Sequence, residues 1–284
     1  MDAHDTKKLL LQHGFKFSKS MGQNFLIDRN IPEKIVRLSG IDLSDGILEV
    51  GPGAGALTAE LSKSAGKVTA VELDRRLIPV LKTTLEGRGN IEILESDILK
   101  LDIAATVREK MPGLRHRVCA NLPYNITTPA LSAFIDTGVF ETITVMVQKE
   151  VAERICADPG TRQYGAFSVY ANYYTEPKQL FDVPPECFMP RPAVTSTVVT
   201  LRPRREHILP PEDERQFFRT VRAAFGQRRK TLVNALYTAF GNELGKDEIT
   251  DIVTLCGFNP QIRGETLGIE EFAKLSAELT NAKK

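Results

Sequence analysis

The sequence predicts an α/β fold: an open sheet of parallel strands joined by crossover helices, followed by a small C-terminal all-α domain. Three observations lead there. Apolar runs at residues 47–50, 68–71, 91–94 and 118–120 recur at the length of a βαβ unit. A glycine turn, Gly51-Pro52-Gly53-Ala54-Gly55, leads from the first run into a helical stretch. Beyond the basic linker Arg202-Pro203-Arg204-Arg205, helical apolar spacing takes over at residues 217–225 and 230–240, with Gly226 as a break. The expected division is residues 1–203 for the α/β domain and 204–284 for the helical one.

Composition bounds the function. The chain has 284 residues, 42% apolar and 26% charged, which is ordinary for a globular protein. A net charge of +1 excludes a globally basic nucleic-acid binder, so any such signal must be local. Cys119, Cys156, Cys187 and Cys256 are scattered, and the four histidines show no ligand spacing. No bound metal is therefore expected. There is no signal-peptide core at the start and no apolar run near the ~20 residues needed to span a bilayer. The expected setting is soluble and cytoplasmic.

Taken in order, residues 6–12 read as a short helix. Residues 15–28 interleave basic and aromatic side chains, which suits either a segment lying on phosphate and ligand or an arm docked through Phe25, Leu26 and Ile27. Asp28 reads as the N-cap of a helix over 31–38. The glycine turn after residue 50 lets a ligand approach the backbone, as side chains would not. Its Gly51-x-Gly53-x-x-Ala56 pattern also fits a dinucleotide fingerprint, so alone it names no cofactor. Glu72 ends the next strand, where a carboxylate can accept from both hydroxyls of a ribose. Asp74 reads as a helix N-cap. Asp97, just past the third strand, can accept from an adenine amine, although for the residue taken alone a plain loop carboxylate is the default reading.

Asn121-Leu122-Pro123-Tyr124 closes the series. It offers an amide, a carbonyl of Leu122 or Pro123, and an aromatic face, which suits a planar base bearing an exocyclic amine. Gly51, Glu72, Asp97 and Asn121 lie 21, 25 and 24 residues apart, each just past an apolar strand. All four should line one rim of one parallel sheet. Together they describe an adenosyl cofactor beside an amine-bearing second substrate.

These motifs, with Gly22-Gln23-Asn24-Phe25-Leu26 near the start, resemble the S-adenosylmethionine-dependent rRNA adenine N6-dimethyltransferases. The likeness is greatest to their bacterial small-subunit (16S) branch. It implies a Rossmann-like methyltransferase sheet in residues 1–203 and an RNA-binding role for residues 204–284. It also implies cofactor contacts at Asn24, Leu26, Gly51, Gly53, Glu72, Asp97 and Asn121. Asn121, Leu122, Pro123 and Tyr124 would hold the target adenine. Phe188, in Phe188-Met189-Pro190-Arg191-Pro192-Ala193-Val194, would cover its other face.

The implied activity is dimethylation of two adjacent adenosines in small-subunit rRNA, within an immature ribosomal subunit, by a monomer. A 23S rRNA methyltransferase of the macrolide-resistance type shares the core and is the alternative, as is an assembly factor in which methylation is secondary. Arg215, Arg219, Arg222, Arg228, Arg229 and Lys230 concentrate positive charge where RNA would bind. Two departures stand out. Ala166-Phe167 replaces the family's usual Arg-Leu after Tyr-Gly, and Gly264 stands where Ala is usual.

Overall fold

A computed structural model describes residues 3–15, 23–206 and 208–282. They form two compact units, Met1–Ala152 with Pro177–Pro203, and Glu153–Glu176 with Arg204–Lys284.

In chain order the strands are β1 (Phe25–Leu26), β2 (Asp45–Val50), β3 (Lys67–Glu72), β4 (Ile91–Glu95), β5 (Arg115–Asn121), β6 (Thr142–Gln148), β7 (Thr175–Val183), β8 (Phe188–Met189) and β9 (Ser196–Pro203). Seven make one sheet in the order β4-β3-β2-β5-β6-β9-β7, while β1 and β8 pair antiparallel as a ribbon of their own. The sheet is mixed. Strands β2 to β6 run parallel to their neighbours, as the apolar runs predict, but β9 is antiparallel to β6. Every residue of β2 is buried, as a central parallel strand covered on both faces requires. Strand β4 lies at the edge, and its Glu92 bonds Lys110 at 2.9 Å and Lys67 at 3.3 Å, charges that suit an exposed margin.

The helices of this unit are α1 (Ala3–Gln12), α2 (Asn30–Ser39), α3 (Ala56–Ser64), α4 (Ile78–Thr84), α5 (Ile103–Lys110) and α6 (Thr127–Thr137). Asp28 accepts from Asn30 N–H at 2.9 Å, but the N-cap position of α2 falls to Arg29, so Asp28 stands one residue before the cap expected of it. The helix begins one residue earlier than its apolar spacing suggests. Phe25 and Leu26 are buried, and the Phe25 ring meets Phe15 edge-on at 5.7 Å, so these parts of the N-terminal arm dock on the core. Residues 16–22, including Gly22 of the N-terminal motif and most of the basic and aromatic run, lie outside the described residues.

Order in the sheet decides where ligands go. From β2 the chain winds outward to β3 and β4, then returns to place β5 on the other side of β2. The carboxyl ends of β2 and β5 thus flank the switch point, where an open α/β sheet has its crevice. Leu48 pairs with Val118, and the strands lead from there to Gly51 and Asn121.

The second unit takes in more chain than the linker at 203 indicates. The boundary falls within α7 (Lys149–Ile155) and again at residue 176, so α8 (Ala166–Tyr174) belongs to it. Its other helices are α9 (Pro211–Gly226), α10 (Leu232–Phe240), α11 (Lys246–Leu255) and α12 (Ile269–Asn281). Aromatic packing is the physical reason. Tyr173 lies 4.9 Å from Phe217 and Tyr174 stacks on Phe218 at 5.6 Å, while both tyrosine hydroxyls donate to Glu214. Tyr164, Val169 and Tyr173 share one buried cluster with Leu232, Phe240, Phe272 and Leu275. Composition around residue 203 marks a linker, but only packing shows which side of it residues 153–176 join.

Candidate active site

At the switch point lies a cavity of about 220 Å³. Gly51, Gly53, Glu72, Asp97 and Asn121 through Tyr124 all reach its wall, together with Asn24. The series read from the sequence is therefore brought to one place.

The glycine turn is shaped by steric need. Gly51 and Gly53 have φ of +67° and +61°, a region disfavoured for residues with a Cβ. A Cβ on Gly53 would sit 3.0 Å from the Phe25 ring, and one on Gly51 would sit 3.3 Å from Pro123. Bare backbone is thus kept against the cavity. Glu72 braces the turn. Its Oε1 accepts from Asp74 N–H at 2.8 Å and its Oε2 from Gly53 N–H at 3.3 Å. Burial pushes its carboxyl up, and these N–H groups oppose the shift. Asp74 caps the next helical turn as expected, accepting from Arg76 N–H. It also accepts from Gln23 Nε2 at 2.9 Å. Gln23 lines the cavity too, a role its place in the N-terminal motif did not by itself assign. Asp97 Oδ1 accepts from Leu99 N–H at 3.0 Å, which fixes the loop after β4.

Asn121 is oriented by the arm. Its Nδ2 donates to the carbonyl of Asn24 at 3.2 Å, and a carbonyl can only accept, so Oδ1 is the end left as an acceptor. The sequence left Leu122 and Pro123 as equal sources of a second acceptor, and the structure separates them. The Pro123 carbonyl already accepts from Ile126 N–H at 3.1 Å and Thr127 Oγ1 at 3.2 Å. Leu122 spends its N–H on Met146, and Pro123 has no N–H of its own to offer. The Leu122 carbonyl is the better placed acceptor. Tyr124 is steadied by a 2.9 Å hydrogen bond between its hydroxyl and Ser196 Oγ.

Two predicted site residues are placed elsewhere. Phe188 does not reach the cavity wall; it is 3% exposed and packs in a core cluster with Leu26, Ile35 and Val198. Its backbone pairs with Leu26 across the ribbon. Leu26 is buried as well and borders only a smaller hollow of about 30 Å³ behind the glycine turn. A Pro-rich loop marks where the chain turns, not which way an aromatic ring faces. Among the described residues no group of three or more His, Cys, Asp or Glu side chains could hold a metal ion, and no helix is long and apolar enough to cross a membrane.

Residues 14–266 match the family described as ribosomal RNA adenine dimethylase. The chain belongs to that family. It is 47% identical over 276 residues to ribosomal RNA small subunit methyltransferase A of Shouchella clausii, covering 96% of this chain and 93% of that protein. With the protein of the same name from Clostridioides difficile it shares 48% over 272 residues, 95% of this chain and 93% of that one. Among solved structures it is similar to a dimethyladenosine transferase from Plasmodium falciparum, with a TM-score of 0.75, 27% identity, and coverage of 91% and 98%. The 23S rRNA methyltransferase ErmE has a TM-score of 0.71 at 25% identity, covering 90% of this chain and all of that one.

In this dimethylase the basic residues of the second unit divide into two groups. Arg219 pairs with Glu243 and lies over the Phe240 ring at 4.3 Å. Arg228 Nε donates to Glu265 at 2.6 Å and its guanidinium also donates to the Arg162 carbonyl at 2.6 Å. Arg215, Arg222, Arg229 and Lys230 are exposed. Gly264 has a local cause: a Cβ there would lie 2.7 Å from that of Ala224.

Proposed function

We propose that the protein transfers methyl groups from S-adenosylmethionine to N6 of two adjacent adenosines in small-subunit rRNA, during maturation of the subunit in the cytoplasm. The observation that carries this reading is the amide of Asn121, tied through Nδ2 to the Asn24 carbonyl so that Oδ1 is left as an acceptor on a cavity that Leu122 also lines. Two acceptors next to an aromatic face match the two N–H groups of an adenine amine.

The cavity suits the donor. Bare backbone at Gly51 and Gly53 admits close approach, Glu72 fits a ribose diol, and Asp97 fits an adenine amine. When bound, S-adenosylmethionine supplies an electrophilic methyl on a sulfonium. The N6 lone pair of adenine is delocalised into the ring and is a poor nucleophile. Accepting its two N–H bonds at Asn121 Oδ1 and the Leu122 carbonyl turns that lone pair out of the ring plane and toward the methyl. Tyr124 stacks on the base, with its plane set by Ser196. No strong base is required, because the N–H proton leaves for water after the N–C bond has formed. Positioning of this kind is worth up to ~7–11 kcal/mol in well-oriented systems. The adenosine must be unpaired or extruded to reach the rim. In the second round one N–H has been replaced by methyl, so one of the two acceptors suffices. Exposed Arg215, Arg222, Arg229 and Lys230 supply phosphate contacts from the second unit.

Relatives named for the small subunit, at 47–48% identity across nearly the whole chain, favour this reading over a 23S substrate, for which the likeness is 25%. Mass spectrometry of unmethylated small-subunit RNA, after incubation with the protein and S-adenosylmethionine, tests it. Two neighbouring adenosines should each gain two methyl groups. Methylation of large-subunit RNA alone would reject the assignment.

A further inference from the structure

Four rings follow one another across α8 and α9 of the second unit. Phe167, Tyr170 and Tyr174 stand at i, i+3 and i+7 of α8, so they share one face of that helix. Phe167 and Tyr170 lie nearly parallel, 24° apart with ring centroids at 5.7 Å. Phe218 of α9 continues the row, 5.9 Å from Tyr170 and stacked on Tyr174. All four are half-buried. Tyr174 and Phe218 also pack against the buried cluster of the unit. Phe167 does not, and its one ring contact among the described residues is with Tyr170. The row therefore ends on a ring that the core does not use.

Positive charge brackets the row. Arg215, Phe218 and Arg222 stand at i, i+3 and i+7 of α9, and both arginines are exposed. Arg219, off that stripe, is the one held by Glu243. The two helices run antiparallel: Tyr173 reaches Glu214, Tyr170 meets Phe218, and Tyr164, just ahead of α8, meets Phe225. That register brings Phe167 level with Arg222. Glu214, the carboxylate on this side, stands at the far end and accepts from the hydroxyls of Tyr173 and Tyr174.

We propose that the row is a stacking shelf for one unpaired nucleotide of the rRNA substrate, with the base on the Phe167 ring and the phosphate at Arg222. The inference rests on the small-subunit rRNA reading above. Rings offer their faces to any base, so the shelf adds affinity without choosing sequence. It is distinct from the adenine site at Tyr124, which belongs to the first unit. Paired RNA cannot use it, because its bases are already stacked on one another. Two exposed guanidinium groups beside the rings suit the phosphates of a strand, whereas an apolar protein surface would have to strip them of water.

The test is binding of the full chain to unmethylated small-subunit RNA, followed by anisotropy across a salt series. Phe167→Leu keeps apolar volume but loses the ring, and should weaken binding about tenfold, the loss of one stacked base, with the log–log salt slope unchanged. Phe167→Tyr restores a ring and should bind like the parent. Methyl transfer by Phe167→Leu should show a raised KM for RNA and the parental kcat. In the parent protein, ultraviolet cross-linking followed by mass spectrometry should place RNA on the peptide spanning residues 163–174, a readout that needs no variant. Parental affinity in Phe167→Leu, equal loss in Phe167→Leu and Phe167→Tyr, or no cross-link on that peptide overturns the inference. So does a loss seen with whole subunits but not with their free RNA, which would assign the face to a ribosomal protein. Failure of the parent to bind small-subunit RNA at all would reject the rRNA reading itself.

Discussion

Asn121 Nδ2 donates to the backbone carbonyl of Asn24 at 3.2 Å, across 97 positions of sequence. One hydrogen bond from an N-terminal arm thus sets which end of the amide is presented at the rim of the sheet. The acceptor and the strand end that carries it are separate contributions to the site.

Replacing Asn121 by Ala should lower methyl transfer by roughly 10²–10³-fold, the cost of losing one oriented polar group at a reacting centre. RNA binding should stay within about twofold. Asn121→Asp keeps an acceptor but cannot donate to Asn24, so it should be nearly as impaired. Transfer of radiolabelled methyl to small-subunit RNA measures both variants, and parental activity in Asn121→Ala would reject the assigned role.

The basic residues of the second unit should separate by function. Arg229→Ala and Lys230→Ala remove exposed cations, so each should weaken RNA binding and reduce the log–log salt slope by about 0.7–0.9 per lost phosphate contact. Arg228 is tied to Glu265 and to the Arg162 carbonyl. Its replacement by Ala should leave the slope nearly unchanged and lower the unfolding temperature slightly. Anisotropy titrations across a salt series, beside thermal melts, give the two readouts.

Gly264→Ala should destabilise the second unit by about 1–3 kcal/mol, since the added methyl lies 2.7 Å from the Ala224 Cβ. Ala224→Gly in the same chain should recover most of the loss, less the helix penalty of glycine at about 1 kcal/mol. Urea unfolding of the two single variants and the double variant tests this. Additive losses would show that the two positions do not compete for one space.

Glu49 should also leave a mark on stability. Its carboxyl is raised from 4.5 to about 8 in the folded chain. Below pH 4.5 folded and unfolded forms both hold the proton; between there and 8 only the folded form does. Stability from this group therefore falls as pH rises through that window, by an amount on the order of 3–5 kcal/mol. Glu49→Gln should flatten the slope of unfolding free energy between pH 5 and 8. An unchanged slope would show that the carboxyl titrates alike in both states.

Much of the fold was legible because parallel strands buried on both faces read as continuous apolar runs. Residues 47–50 and 118–120 lie within β2 and β5 for that reason. Strand β7 gave no such signal. Its Thr-Glu-Pro-Lys-Gln start is polar, and it lies at the sheet edge, where one side needs no partner. The antiparallel return of β9 was hidden too, since an apolar strand reads the same in either direction. Residues 153–176 looked like part of the first domain because aromatic side chains do not state which core they will join.

By itself the sequence determined which chemical groups stand at the ends of successive strands: a bare glycine turn, two carboxylates, an amide and an aromatic ring. Strand length and crossover length make that spacing a local property of the chain. Tertiary structure alone decided which atoms of those groups are free. The Leu122 carbonyl is distinguished from that of Pro123, Phe188 turns into the core, and Glu49 borders a small hollow. The turn of Phe188 into the core and the orientation of Asn121 by Asn24 depend on partners far away in sequence, which meet only once the sheet has closed, whereas the Pro123 carbonyl is taken locally by Ile126 and Thr127.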